Sequence, residues 1–256
     1  VINIKTPEQL DQMAAAGAVH TEAMRLAVET ARPGATTLEV DGAVEQLIRQ
    51  RGGIPTFKGF RGFPGSICIS NNDMVVHGIP SDEQLEAGDT LCIDIGVTLG
   101  GWVADAAVTI PVGGESGAVA DQLMQTTRQS LMDAVEVCRP GNHVGDIGHA
   151  VESRVKGAGF SVIRELIGHG VGRQMHEEPQ IPNHGTAGTG PELKSGMVLA
   201  IEPMVNVGAP EIFVGEDGWS VYAADGSLAS HFEFTVAVTD DGPRILTPWH
   251  EVVDVW

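Results

Sequence analysis

The stretch Leu91–Ile110, LCIDIGVTLGGWVADAAVTI, decides how this chain folds. Two apolar arms flank a Leu-Gly-Gly turn, the pattern of an antiparallel hairpin, yet each arm carries an aspartate in its middle. By the period of two, Cys92, Asp94 and Gly96 share one face, and Leu91, Ile93, Ile95 and Val97 share the more apolar one. A two-residue turn at Leu99-Gly100 would place Asp94 directly opposite Asp105. Like charges about 5 Å apart repel by roughly 3 kcal/mol at an effective dielectric near 20. Three arrangements relieve that repulsion: a protonated acid, a cation between the two, or a face that is simply wet.

An internal repeat widens the pattern. His77-Gly-Ile-Pro80 is followed by LEAGDTLCID (85–94), and His176-Glu-Glu-Pro179 by LKSGMVLAIE (193–202). Leucine, glycine, leucine, isoleucine and a terminal acid coincide, and each decamer stands behind a His-x-x-Pro. A two-fold duplicated architecture follows, with halves of roughly 1–115 and 116–256, each supplying a histidine at a strand end and an acid inside a later strand. Glu202 in GMVLAIEPMV and Glu233 in SHFEFTVAV bring the acids inside apolar strands to four. In the latter segment His231, Glu233 and Thr235 share one face, and Phe232, Phe234 and Val236 the other. Four clustered carboxylates are prohibitive without compensation, and two divalent cations supply it most simply. The glycines at 168, 170 and 172 leave His169 free of local bulk, which suits a ligand lying close to backbone. One imidazole with four carboxylates points to manganese, iron or cobalt, with zinc as a further option, and away from a cysteine-rich zinc site.

The rest of the chain fits a folded protein with a sizeable core. Its 256 residues are 42% hydrophobic and carry a formal charge of −19, which repels phosphate backbones and argues against DNA or RNA as the main partner. Arg49, Arg51, Lys58 and Arg61 form the only local basic cluster. Three scattered cysteines give no disulfide framework, and no apolar run has signal-peptide or membrane-span character, so a cytoplasmic protein is expected. A capping box at Thr6-Pro7-Glu8-Gln9 opens a helix that Pro33-Gly34 stops; others are expected from Thr36 to Gly52, 118 to 139 and 144 to 156. Strands are expected at 67–70, 75–79, 91–97, 102–110, 161–166, 197–205, 219–222 and 231–239. No linker divides the chain, so 1–256 reads as one α+β domain. His176-Glu177 is not an H-E-x-x-H zinc helix, because position 180 is Gln and Pro179 would break the helix.

CISNNDMVVHGIP, IDIGVTLGGWVAD, GHGVGRQMHEEPQIPN, GMVLAIEPMV and HFEFTVAVTDDGPRILT together resemble the type I methionine aminopeptidases of bacterial kind, from about Thr6 to Thr247. The resemblance implies the pita-bread fold, a curved antiparallel sheet backed by helices around a dinuclear metal centre. It implies Asp94, Asp105, His169, Glu202 and Glu233 as metal ligands, Glu202 as acceptor of the attacking water's proton, and His77 and His176 as catalytic histidines that also contact substrate. It further implies a methionine pocket of Phe60, Phe63, Cys68 and Trp219 rimmed by His77. The substrates would be nascent polypeptide amino termini whose second residue is small, the state monomeric, and ribosome contact transient. Val103-Ala104, Phe60, Phe63 and Phe234 depart from the family's usual residues. The 31 residues from Glu202 to Glu233 leave no room for the type II insertion. A start of the first helix near residue 7 leaves none for an amino-terminal zinc-binding extension. Two other readings stay open: a proline-specific peptidase, and a catalytically dead binding module of the same fold.

Overall fold

A computed structural model describes residues 1–254. Four helices, α1 (Pro7–Thr30), α2 (Thr37–Gln50), α3 (Ala118–Glu136) and α4 (Val144–Gly157), run close to the expected spans, with α3 ending three residues earlier than expected. Thr6 accepts from the Gln9 amide while the Gln9 side chain accepts from Thr6, and Thr36 and Glu39 repeat the exchange, so both starts are locally encoded. The helices pack two by two, α1 on α2 and α3 on α4, and α1 also lies across the long hairpin. All paired strands are antiparallel, and with the helices they make an α+β fold.

The hairpin Thr90–Leu99 and Trp102–Pro111 forms as expected, but its register differs. The turn is Gly100-Gly101, both at positive φ (59° and 77°), so Asp94 faces Ala107 and Asp105 faces Gly96. The aspartates are diagonal neighbours and not direct partners. A two-residue shift keeps every side chain on its face, so the two acids still point the same way. Two-residue hairpin turns demand positive φ, which two glycines supply without steric cost and Leu99 would not. Along the other edge of Thr90–Leu99, strand Cys68–Asn71 pairs so that Cys68 faces Asp94.

The two long runs that carry the glutamates are interrupted at the glutamates. Val198–Ile201 and Met204–Asn206 are separate strands in different sheets, and Ala229–His231 and Phe234–Thr239 likewise. Pro203 has no N–H to give to a ladder, which ends the first run where sequence patterning carries it through. Phe234 pairs Ile201 and Met204 pairs His231, so one register spans the gap with Glu202 opposite Glu233. Strands at Ile54–Pro55, Ile167–Gly170, Glu177–Pro182, Ile212–Val214 and Gly242–Ile245 have no clear local signal. Ile167–Gly170 is held by tertiary pairing to Val198–Ile201 despite two glycines.

Threonine side chains join the long hairpin to the segment 231–235. Thr109 Oγ1 donates to the His231 carbonyl (2.7 Å) and accepts from its N–H (2.9 Å). Thr235 Oγ1 does the same to Asp105 (2.7 and 3.0 Å), and between them the Glu233 N–H donates to the Ala107 carbonyl (2.9 Å). These hydroxyls stand where ladder groups would, and they fix Asp105 beside Glu233.

Candidate metal centre

The seam, the hairpin and the Ile167–Gly170 strand converge on one buried cluster. Asp94, Asp105, His169 and Glu233 are buried and Glu202 nearly so. Ligand atoms of Asp105, His169 and Glu233 lie within 4.8 Å of one another, close enough to share one ion. His169 Nε2 stands 3.5 Å from Glu202 Oε1 and 3.8 Å from Asp105 Oδ2. Its Nδ1 is 2.9 Å from the Gly170 carbonyl; as donor there, it leaves Nε2 as the free lone pair that a ligand needs. All five residues expected as ligands are therefore brought together.

The electrostatics show what the cluster lacks. Burial pushes Asp94 up to about 7. Burial, then the neighbouring carboxylates, drive Asp105, Glu202 and Glu233 well above the carboxylate range. Asp94 Oδ1, Asp105 Oδ1 and Glu233 Oε1 are buried without a hydrogen-bond partner. Orphaned oxygens on mutually repelling carboxylates, with a neutral imidazole beside them, are a donor set that fits hard or borderline divalent cations.

Around it lies a cavity of about 220 Å³ whose lining includes Phe60, Phe63, Cys68, His77, His176 and Trp219 together with the acids. The Phe63 and Trp219 rings meet edge-on at 5.1 Å. His77 adopts φ 62°, a conformation non-glycine residues rarely take, and Gly78 behind it packs so closely that a Cβ would lie 2.1 Å from the Ile69 carbonyl oxygen. His176 sits at the mouth, its ring 4.4 Å from that of His169 and 5.5 Å from Phe60. Burial holds His77 and His176 below the ordinary histidine value, helped by His176 at the first and Arg61 at the second. The hairpin tip braces the 171–176 loop: the Val103 N–H donates to the Gly172 carbonyl (2.9 Å), and Arg173 stacks 3.9 Å over Trp102 while donating to the Gly100 carbonyl. Every residue expected at the site lines this cavity.

Sequence reasoning passed over His231, Arg61, Phe57 and Met175. His231 Nε2 approaches Glu233 Oε2 (3.8 Å) and Glu202 Oε2 (4.0 Å); its place on the Glu233 face was the available signal. Phe57, Arg61 and Met175 complete the cavity wall from loops with no periodic pattern. Of the departures, Phe234 stacks on Trp249 at 4.9 Å, while Val103 and Ala104 are buried. The basic cluster is largely neutralised: Arg49 and Lys58 pair with Glu45 and Arg51 with Glu22, leaving Arg61 without an ion pair among the described residues.

The sequence model of metallopeptidase family M24 matches residues 11–240, and the chain belongs to that family. It is 44% identical to a methionine aminopeptidase of Clostridium perfringens, covering 96% of this chain and 99% of that one. It is 47% identical to methionine aminopeptidase 1 of Mycobacterium tuberculosis, with 96% and 95% covered. The solved methionine aminopeptidase of Rickettsia prowazekii superposes with a TM-score of 0.94 at 39% identity, over 96% of this chain and 100% of that one, and shares the pita-bread fold. A prolidase from Pyrococcus furiosus superposes less closely, at a TM-score of 0.75 and 25% identity, and this chain spans 65% of its length.

Proposed function

We propose that this chain is a metal-dependent methionine aminopeptidase, which removes the initiator methionine from nascent proteins and peptides whose second residue is small. The observation that carries the reading is an apolar, aromatic cavity of about 220 Å³ with a carboxylate–imidazole cluster in its wall. The lining suits an unbranched thioether, and the volume suits one side chain rather than a large ligand.

In this reading Asp94, Asp105, His169, Glu202 and Glu233 hold two divalent ions, manganese, iron or cobalt, with zinc as the other option. Ions bound there would supply Lewis-acid polarisation of the scissile carbonyl and a water of lowered pKa. Glu202, less enclosed than its neighbours, takes the attacking water's proton. His77 and His176, kept neutral by burial, donate N–H to the oxygen that gains charge and orient the peptide. Phe60, Phe63, Cys68 and Trp219 hold the methionine side chain. The acidic wall favours a substrate with a cationic amino terminus, which supports cleavage at the chain end. A second cavity of about 230 Å³ beyond His77, bounded by Val76, Leu166 and Met204, offers a place for the second residue.

The proposal extends to organisation and setting. Residues 1–256 form one catalytic domain of two related halves, supported by a helix pair preceding the strands in each. The protein works as a cytoplasmic monomer. No helix among the described residues is long and apolar enough to cross a membrane. Transient ribosome contact rests on the resemblance and on Arg61, and salt-dependent ribosome pelleting tests it.

The deciding experiment compares hydrolysis of Met-Ala-Ser and Ala-Pro peptides by the manganese-loaded enzyme, with Glu202→Gln and His77→Ala alongside. Met-Ala-Ser is expected to be cleaved and both variants to lose most turnover while staying folded. Preference for Ala-Pro would overturn the substrate, and near-normal turnover in both variants would overturn the roles.

A further inference from the structure

His231 is the polar group of this cluster for which the metallopeptidase reading has no use. It ends the strand Ala229–His231, is only 1% exposed, and has its backbone clamped on both sides by Thr109. Its Nδ1 lies 3.6 Å from Cys92 Sγ. Cys92 shares the Asp94 face of the hairpin, and burial keeps its sulfur a thiol. A thiol S–H donating to Nδ1 places the imidazole proton on Nε2, because a neutral ring carries one donor and one acceptor. That Nε2 is buried without a partner and faces Glu202 Oε2 at 4.0 Å and Glu233 Oε2 at 3.8 Å. Both distances are too long for a hydrogen bond, so the donor is aimed but unspent.

Glu202 is the acceptor that can move to it. Glu233 belongs to the Asp105–His169–Glu233 group, in which one ligand atom from each residue lies close enough to the others to share an ion. Glu202 stands outside that group, with Oε1 toward His169 and Oε2 toward His231, so one imidazole flanks each oxygen. Its backbone is held by the carbonyl accepting from Asn183 Nδ2 at 2.9 Å. A carboxylate that must keep one oxygen for a metal and the other for a proton gains from a donor that fixes which is which.

We propose that His231 is a positioning residue that donates from Nε2 to Glu202 Oε2 and holds that carboxylate in the orientation from which it takes the water's proton. The inference rests on the aminopeptidase reading for its consequence, and on the geometry above for the contact. His231 acts through Glu202, and its ring also lines the second cavity beyond His77.

The test uses the full chain. In ¹⁵N-histidine NMR of the zinc-loaded protein, with His231 assigned by its loss in His231→Gln, the ring is expected as the Nε2–H tautomer. An Nδ1–H tautomer with a free or metal-bound Nε2 would overturn the proposal whatever the activity. Kinetics on Met-Ala-Ser with saturating manganese form the second arm. His231→Leu, which keeps bulk and loses the donor, should lower kcat about 10- to 100-fold with KM within about twofold. His231→Gln, whose amide reaches the same oxygen, should restore kcat to within about threefold of wild type. Manganese stoichiometry by calorimetry should be unchanged in both. If Gln is as slow as Leu, or if both lose an ion, His231 is packing or a ligand and the proposal fails. Should Leu not fold, His231→Asn, whose amide falls short of Glu202, takes its place. A wild-type enzyme that ignores Met-Ala-Ser would indict the aminopeptidase reading alone, and the NMR arm would still decide the contact.

Discussion

Asp94→Asn should stabilise the metal-free protein at alkaline pH and weaken the metal-loaded one. Burial raises Asp94 from the usual 3.8 to about 7. A folded-state pKa above the unfolded one means that Asp94's contribution to stability is intact below the unfolded value and is lost as pH rises through the folded one. The whole shift corresponds to about 4 kcal/mol, of which more than half goes between pH 5 and pH 8. Asparagine keeps the shape and removes the charge. After dialysis against EDTA, the variant should therefore gain about 2–3 kcal/mol on wild type between those pH values, or about 5–10 °C in Tm for a chain of this size. The buried histidines His20, His169 and His231, lowered to about 4, 4 and 3, titrate in both proteins and cancel in the difference. Asp105, relieved of a charged neighbour, ionises more readily in the variant and trims the gain. Urea unfolding at pH 5, 6, 7 and 8 measures it. With saturating manganese the order should reverse, since the variant has lost a ligand oxygen. Parallel pH curves for the two metal-free proteins would refute the argument that the cluster stores uncompensated charge.

Three further perturbations probe the frame around the site. Trp219→Ala removes the edge contact to Phe63 and opens the cavity; KM for Met-Ala-Ser should rise about tenfold, the scale of one lost apolar contact of 1–2 kcal/mol, with kcat changed less. Gly170→Ala would put a Cβ 2.2 Å from the Glu178 carbonyl oxygen, displacing His169; a stability loss of at least about 1–3 kcal/mol and weaker manganese binding by calorimetry are expected. Lys5 and Glu177 form a buried ion pair at 2.8 Å next to His176. Lys5→Met should cost about 1–3 kcal/mol in urea unfolding, since Glu177 loses its cation but keeps hydrogen bonds from Asn3 and the Arg173 and Gln174 N–H groups, and adding Glu177→Gln should recover part of it.

The starts of α1 and α2 and the four acids were legible because their signals are local. Thr6 and Thr36 exchange hydrogen bonds with residues three positions on, and an acid in an apolar strand is anomalous in any context. The face shared by Asp94 and Asp105 was legible too, since the period of two survives a slip of two residues. That same invariance hid the true register: sequence alternation cannot tell a turn at Leu99-Gly100 from one at Gly100-Gly101, and the closing geometry chose the two glycines. Only the tertiary structure broke the long strands at Glu202 and Glu233, kept those acids opposed across the gap, and turned His231 toward them. Those outcomes depend on Thr109 and Thr235 standing in for ladder groups between segments more than a hundred residues apart. Sequence patterning names the groups that need compensation; which of them meet is set by long-range pairing, whose partners no local period records.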